Sequence, residues 1–301
     1  MKISICIPVY NFDVRELVAD LNKEIANNQL NAEILLIDDA SEPEFILKNS
    51  QLINHVENFV FLEKNVGRSQ IRNLFLYYAK GEFLLYLDCD GKIISPNFLL
   101  NYKNYVLENP KTKVIYGGRN VSEIAPEKNH FLRWKYSIER ENPPISIREK
   151  NTYLTFQTNN FLVKKTVLEK VNFNPEFQKY GYEDLLFAMN LKTKKMGIQH
   201  IDNPILNNDV ETNEEYLRKV EESAESLAKM MKNKNTKDKI SEIKLVKAYK
   251  YMDRSGMTSW FQKLFDLRAE KTKQKLLQGD ANLRYLDFYK LGLLIKSLFK
   301  N

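Results

Sequence analysis

Residues 86–91 read Tyr86-Leu87-Asp88-Cys89-Asp90-Gly91 and follow the apolar run Phe83-Leu84-Leu85. A strand that runs through a core does not end on two negative charges unless something positive meets them there. Side chains alternate along an extended chain, so Asp88 and Asp90 face the same side and can share one ligand. A divalent cation carrying a diphosphate fits that arrangement; a solvated turn with two capping aspartates is the simpler reading. Two more polar clusters follow apolar runs: Pro8-Val9-Tyr10-Asn11 and Asp38-Asp39-Ala40-Ser41. In open α/β sheets, ligands sit beyond the carboxyl ends of the strands. A tyrosine there can stack on a base, and an aspartate can accept a hydrogen bond from a nucleobase imide. Asp38-Asp39 also reads as a cap for a helix starting near Ser41. A third acidic pair, Glu183-Asp184, opens a helical pattern, where negative charge suits the helix dipole.

The elements that must hold these residues alternate. Strand patterns cover 3–9, 34–37, 59–62, 82–87 and 113–116, and helical patterns cover 13–27 and 69–79. Ser95-Pro96 marks a helix start, a cap followed by proline in the first turn. Residues 119–152 are polar, contain Pro126, Pro143 and Pro144, and form an excursion from the sheet. A strand over 155–164, a helix over 183–196 and a strand over 198–201 follow. This predicts a largely parallel sheet flanked by helices. From Thr212 the pattern is helical only. Thr212 and Glu215 form a capping-box signature, Leu217, Val220, Ala224, Leu227 and Met231 share one face, and three more helices are expected over 240–252, 259–277 and 282–299. The expected domains are a catalytic 1–211 and a basic helical 212–301.

At 43% hydrophobic and 28% charged, the 301-residue chain is an ordinary globular one. Its two cysteines, Cys6 and Cys89, lie in or beside strand patterns far apart, which predicts reduced thiols, a cytoplasmic setting and no zinc site. Pro8, Asn11 and Asp13 interrupt the first apolar run, so it reads as a strand and not a leader. No run of eighteen apolar residues occurs. The net charge of +7 is uneven: residues 212–301 hold 20 Lys+Arg against 12 Asp+Glu, and the rest hold 26 against 27. The basic residues are spread over amphipathic helices without a nucleic-acid reading motif, so no nucleic-acid partner is expected. A glycine-rich dinucleotide loop and a P-loop are both missing, which argues against a dehydrogenase and a P-loop NTPase.

The segments Ile7-Pro8-Val9-Tyr10-Asn11, Ile37-Asp38-Asp39-Ala40-Ser41, Asn65 to Asn73, Asp88-Cys89-Asp90, Thr158-Asn159-Asn160-Phe161 and Gly181-Tyr182-Glu183-Asp184 occur in an order and spacing that resembles a family 2 glycosyltransferase of the A-type (GT-A) fold. The resemblance implies a nucleotide-sugar donor, a UDP-sugar first of all, bound with Mn²⁺ or Mg²⁺. Pro8, Tyr10 and Asn11 would form the nucleobase pocket and Asp39 would read the base. Gly67 and Arg72 would line the nucleotide site, Asp88 would contact the ribose or donor sugar, and Asn160 would lie near the transferred sugar. Asp90 would bind the metal. Relatives often place a histidine ligand beyond the acidic pair; the matching position here is Asn207, a weaker oxygen ligand, while nearby His200 points as readily into the core. Asp184, beside Glu183, would be the base of a single inverting displacement onto a glycan or lipid-linked acceptor, as in bacterial surface polysaccharide assembly. The alternatives are a nucleotidyltransferase, which would carry a basic glycine-rich loop after the first strand, and a non-catalytic nucleotide-sugar binder. The C-terminal helices read either as a cap packed on the catalytic body or as a peripheral contact on the inner membrane face. The second reading rests on Trp260, Phe261, Leu264 and Phe265 with Lys263 and Arg268, and on 291–299 with Lys290, Lys296 and Lys300.

Overall fold

The computed structural model describes residues 1–176, 180–207 and 210–299; Lys300 of the C-terminal cationic stripe lies outside them. The strands are β1 (Ile3–Val9), β2 (Ala32–Asp38), β3 (Asn58–Phe61), β4 (Phe83–Leu87), β5 (Gly91–Ile93), β6 (Val114–Tyr116), β7 (Arg119–Val121), β8 (Asn160–Lys164), β9 (Gln199–His200) and β10 (Ile205–Asn207). The helices are α1 (Arg15–Asn27), α2 (Pro43–Ser50), α3 (Arg68–Tyr78), α4 (Phe98–Glu108), α5 (Phe131–Tyr136), α6 (Ile145–Arg148), α7 (Lys165–Leu168), α8 (Glu183–Thr193), α9 (Asn213–Lys232), α10 (Lys244–Arg254), α11 (Thr258–Leu277) and α12 (Leu283–Phe299). They form two compact units. The first comprises Met1–Ser122, Pro144–Gln178 and Lys194–Asp209; the second comprises Glu123–Pro143, Lys179–Thr193 and Val210–Asn301. The second therefore takes in two inner segments besides the helices expected from residue 212 on.

In the first unit a seven-stranded sheet runs in the order β3-β2-β1-β4-β8-β6-β9. It is mostly parallel, with β8 antiparallel to both β4 and β6. β1 and β4 are apolar almost throughout because both faces are covered, and Ile5, Ile7, Val9, Leu85 and Leu87 are fully buried. Connections leave β1 toward β2 on one side and reach β4 on the other, so the order reverses between β1 and β4, the usual place for a ligand crevice. Pairing of β1 with β4 ends at Cys6↔Tyr86, whereas pairing with β2 continues to Val9↔Asp38. Pro8 falls in that one-sided stretch, where a missing N–H costs least. A second, three-stranded sheet, β5-β10-β7, brings Asn207 opposite both Gly91 and Val121.

The second unit is helical. Thr212 Oγ1 accepts the Glu215 N–H at 3.2 Å and Glu215 Oε2 accepts the Thr212 N–H at 3.1 Å, so the expected capping box starts α9. Leu217 and Val220 of α9, Leu132 of α5, Phe265 and Leu276 of α11 and Leu286 of α12 share one core. Phe265, Leu294 and Ile295, part of the stripes weighed for a membrane surface, are core residues, while Trp260 and Phe299 are exposed. Among the described residues no helix is long and apolar enough to cross a membrane.

Some boundaries moved. α4 starts at Phe98, not at Ser95-Pro96, because Ser95 Oγ caps a turn by accepting the Asn97 N–H. The strand expected over 155–164 starts at Asn160, since the Thr155 hydroxyl closes a turn onto the Asn151 and Arg148 carbonyls.

Candidate functional site

The carboxyl ends of β1, β2 and β4 are tied together. The Asp39 N–H donates to the Val9 carbonyl at 2.8 Å, which joins the ends of β2 and β1. At the end of β4 the Tyr10 N–H reaches the Cys89 sulfur, whose thiol burial pushes up to about 12. The Tyr10 side chain stands 53% exposed beyond this junction. Asp39 is buried, and its two carboxylate oxygens accept the Val66 and Gly67 N–H groups at 2.7 and 3.1 Å. Gly67 has φ 81°, which turns its N–H toward Asp39 at the start of α3. Burial holds the Asp39 carboxyl above its ordinary range, and the two N–H donors offset part of that.

Asp88 and Asp90 part company chemically. Asp88 meets Arg72 Nη2 at 2.8 Å and Arg68 Nη2 at 3.4 Å, both from α3. Burial would raise its carboxyl, but Arg68, Arg72 and Arg119 outweigh it and hold it below the usual range. Asp90 is pushed the other way, by burial and then by Asp88. Its Oδ2 accepts from Asn207 Nδ2 at 2.5 Å across the β5–β10 pairing, and Asn207 Oδ1 is buried with no hydrogen-bond partner. The two residues expected to hold a metal are therefore side by side, with an orphaned oxygen between strands. Among the described residues no group of three or more His, Cys, Asp and Glu side chains could hold a metal. Mg²⁺ and Mn²⁺ commonly take one or two protein oxygens and complete their shell with water and substrate phosphate, so this small donor set fits such an ion. His200 does not join it: it is 5% exposed and its Nε2 bonds the Thr152 carbonyl at 2.9 Å.

Three expected ligand contacts turn out to be engaged in the protein itself. Asn160 is fully buried; its Oδ1 accepts from Tyr102 Oη at 2.7 Å and its Nδ2 donates to the Gly118 and Asn203 carbonyls, both at 2.9 Å. The amide fixes the end of β6 and the approach to β10. Asn11, at φ 48°, spends its Oδ1 on the Glu42 N–H at 2.8 Å, a staple between the β1 and β2 loops. Arg72 is 1% exposed and bonds Asp88 at 2.8 Å and the Arg68 carbonyl at 3.0 Å. Pro8 is half-buried in β1. The sequence pattern assigns no role to Arg68 or Arg119. Arg68 lies inside the Asn65–Asn73 stretch; Arg119 follows Gly117-Gly118 in a three-residue strand too short to recognise from pattern.

Glu183 and Asp184 belong to the second unit, at the first turn of α8. Glu183 is buried and its Oε2 accepts the Gly181 N–H at 3.0 Å. Asp184 is half-buried, with Oδ1 on the Leu185 N–H at 2.7 Å. Tyr182 precedes them at φ 67°, a left-handed kink that sets the helix start.

A family model described as Glycosyl transferase family 2 matches residues 4–171. The chain is similar to the poly(ribitol-phosphate) beta-glucosyltransferase of Bacillus spizizenii, 28% identical over 208 residues, a stretch covering 66% of this chain and 31% of that protein. The match thus spans less than a third of that curated relative's length. Among solved structures it is similar to a fragment of S. aureus TarS in complex with UDP (TM-score 0.52, 19% identity, 99% of this chain and 89% of that one). It is also similar to the mannosyltransferase PcManGT from Pyrobaculum calidifontis in complex with GDP-Man and Mn²⁺ (TM-score 0.56, 14% identity, 98% and 85%). Both structural likenesses are likenesses of fold.

Proposed function

Because the chain belongs to glycosyl transferase family 2, we propose that it moves a sugar from a UDP-sugar to a hydroxyl of a glycan or glycolipid acceptor, with inversion, in bacterial surface polysaccharide assembly. The observation that carries this reading is that exposed Tyr10, buried Asp39 and Asp90 follow the ends of β1, β2 and β4 at the switch point of the large sheet, with Asn207 of the second sheet bonded to Asp90. Tyr10 offers a ring for the base. Asp39, already held by two backbone N–H groups, keeps lone pairs to accept a base N–H. Asp88 is aimed by Arg72 toward the ribose or donor sugar, and the cationic Arg68 and Arg119 beside it favour a diphosphate.

Asp90 and Asn207 would hold Mn²⁺ or Mg²⁺, which when bound supplies positive charge to the departing diphosphate. Asp184 takes the proton of the attacking acceptor hydroxyl, and Glu183, fixed on the Gly181 N–H, stiffens the turn that presents it. One displacement needs no second carboxylate as nucleophile. The UDP complex of TarS supports a uridine donor, and the GDP-Man complex of PcManGT keeps a guanosine donor as the competing outcome. The expected result is that Asp184→Asn loses transfer by about a thousandfold or more, while UDP still raises the melting temperature as it does in the wild type. Normal turnover by that variant would remove Asp184 from the role.

A further inference from the structure

Helix α11 carries apolar side chains on two faces. One face is spent inside the helical unit. Phe265 lies against Gly292 of α12, where a Cβ would come within 2.0 Å of the ring, and Phe261 meets Phe288 at 5.3 Å between ring centroids. Leu276 closes the same core. The other face is exposed. Met257, just before the helix, is followed by Trp260, Leu264 and Leu267 at three- and four-residue spacing, so the four share that face. Trp260 is 60% exposed and Leu267 83%, with Met257 also exposed and Leu264 half-buried. A helix that packs on a core from one side needs a single apolar stripe, and this one has a second.

The charges on the second stripe are of one sign. Lys263, Arg268 and Lys271 border it and are exposed. At 3.6 residues per turn, these three and the four apolar side chains lie within an arc of about 140°. Asp266 and Glu270 fall outside that arc, where they accept hydrogen bonds from Gln262 Nε2 at 2.9 Å and Gln274 Nε2 at 2.8 Å. Two further lysines of the helix are engaged by its neighbours: Lys273 meets Glu221 of α9 at 2.8 Å, and Lys275 lies 4.8 Å from the Tyr285 ring centroid of α12.

We propose that this face of α11 is a membrane-docking surface, with the helix lying flat on a bilayer of anionic phospholipid. Trp260, Leu264, Leu267 and Met257 enter the boundary between headgroups and acyl chains, while Lys263, Arg268 and Lys271 meet the lipid phosphates. Tryptophan suits that depth, because its ring is apolar and its indole N–H stays among polar groups. The long cationic side chains reach outward along the apolar surface and keep their charges in the headgroup layer. A second copy of this chain is the poorer occupant: across a two-fold axis it would set the same three cations against themselves. An anionic surface complements them. The proposal goes beyond sugar transfer and does not depend on the donor.

The test is sedimentation of the full chain with phosphatidylcholine vesicles, with and without phosphatidylglycerol. Binding is expected to require phosphatidylglycerol and to weaken with salt. Tryptophan emission should shift to the blue on binding. Trp260→Phe should lose that shift and keep most of the binding, which separates Trp260 from Trp134, the other tryptophan. Changing Lys263 and Lys271 together to glutamine should weaken binding about thirtyfold, and Leu267→Ser about tenfold. Lys234 and Lys237 are exposed elsewhere in the same unit, and changing both to glutamine removes the same charge; affinity should then stay within about twofold of the wild type. Equal losses for the two lysine pairs would reduce the effect to net charge and overturn the docking face. So would equal binding to neutral vesicles, no binding to either kind, an unshifted Trp260, or a lipid-free dimer that Leu267→Ser abolishes.

Discussion

Arg72 and Arg68 reach the same carboxylate, yet their contributions should differ. Arg72 is 1% exposed and 2.8 Å from Asp88, so its removal leaves a partly buried negative charge without its main partner. Arg72→Met is expected to lower unfolding free energy by about 2–3 kcal/mol. Arg68 has a side chain 43% exposed at 3.4 Å, and Arg68→Ala should cost less than about 1 kcal/mol. Urea denaturation of the two variants compares them directly; equal losses would mean that burial does not set the strength of these pairs. At this scale the sequence showed which residue types follow the strand ends: Tyr10, Asp39 and Asp90 come after β1, β2 and β4, and Asn207 meets Asp90 from the second sheet. It could not show where an amide points. Asn160 and Asn11 have polar side chains at the right positions, but neighbouring backbone groups claim them, and that competition depends on parts of the chain far away in sequence.

Among the elements, what was readable depended on length. β1 and β4 are almost wholly apolar strands of seven and five residues, β2 holds the apolar run Ile34-Leu35-Leu36-Ile37, and α9 carries both a stripe and a capping box. β5, β7 and β10 have three residues each, too few for any periodicity, and they form the sheet that sets Asn207 beside Asp90. Their pairing became visible only through register. The capping box offers a separable test at this scale. Thr212→Ala removes an acceptor for the Glu215 N–H and should destabilise the helical unit by about 1 kcal/mol. Affinity for UDP should remain that of the wild type, because the nucleotide-side residues belong to the other unit. Paired denaturation and UDP titration check this, and a weakened UDP titration would show that the helical unit does shape the nucleotide site.

For the molecule as a whole, acid is the informative perturbation. His200 is buried, donates through Nε2 to the Thr152 carbonyl, and leaves Nδ1 buried without a partner. Burial, with Arg148 adding to it against the Thr152 bond, holds its pKa down to about 4, against an ordinary 6.5. The unfolded chain thus takes up a proton before the folded one. The stability this provides is complete above about pH 6.5 and is lost as pH falls toward 4, on the order of 3 kcal/mol. Melting temperatures between pH 7 and 4 should fall for the wild type and fall less for His200→Gln; parallel curves would assign the acid sensitivity elsewhere.

The helical unit also sets an order of events during synthesis. Its α5 segment, with fully buried Leu132, emerges before the residues that cover it, which come from α9, α11 and α12. Until those helices leave the ribosome, Phe131, Leu132 and Tyr136 have no native neighbours to shield them. The nascent chain must carry an uncovered apolar stretch until α9, α11 and α12 have been made, and that interval is when holding chaperones would engage it.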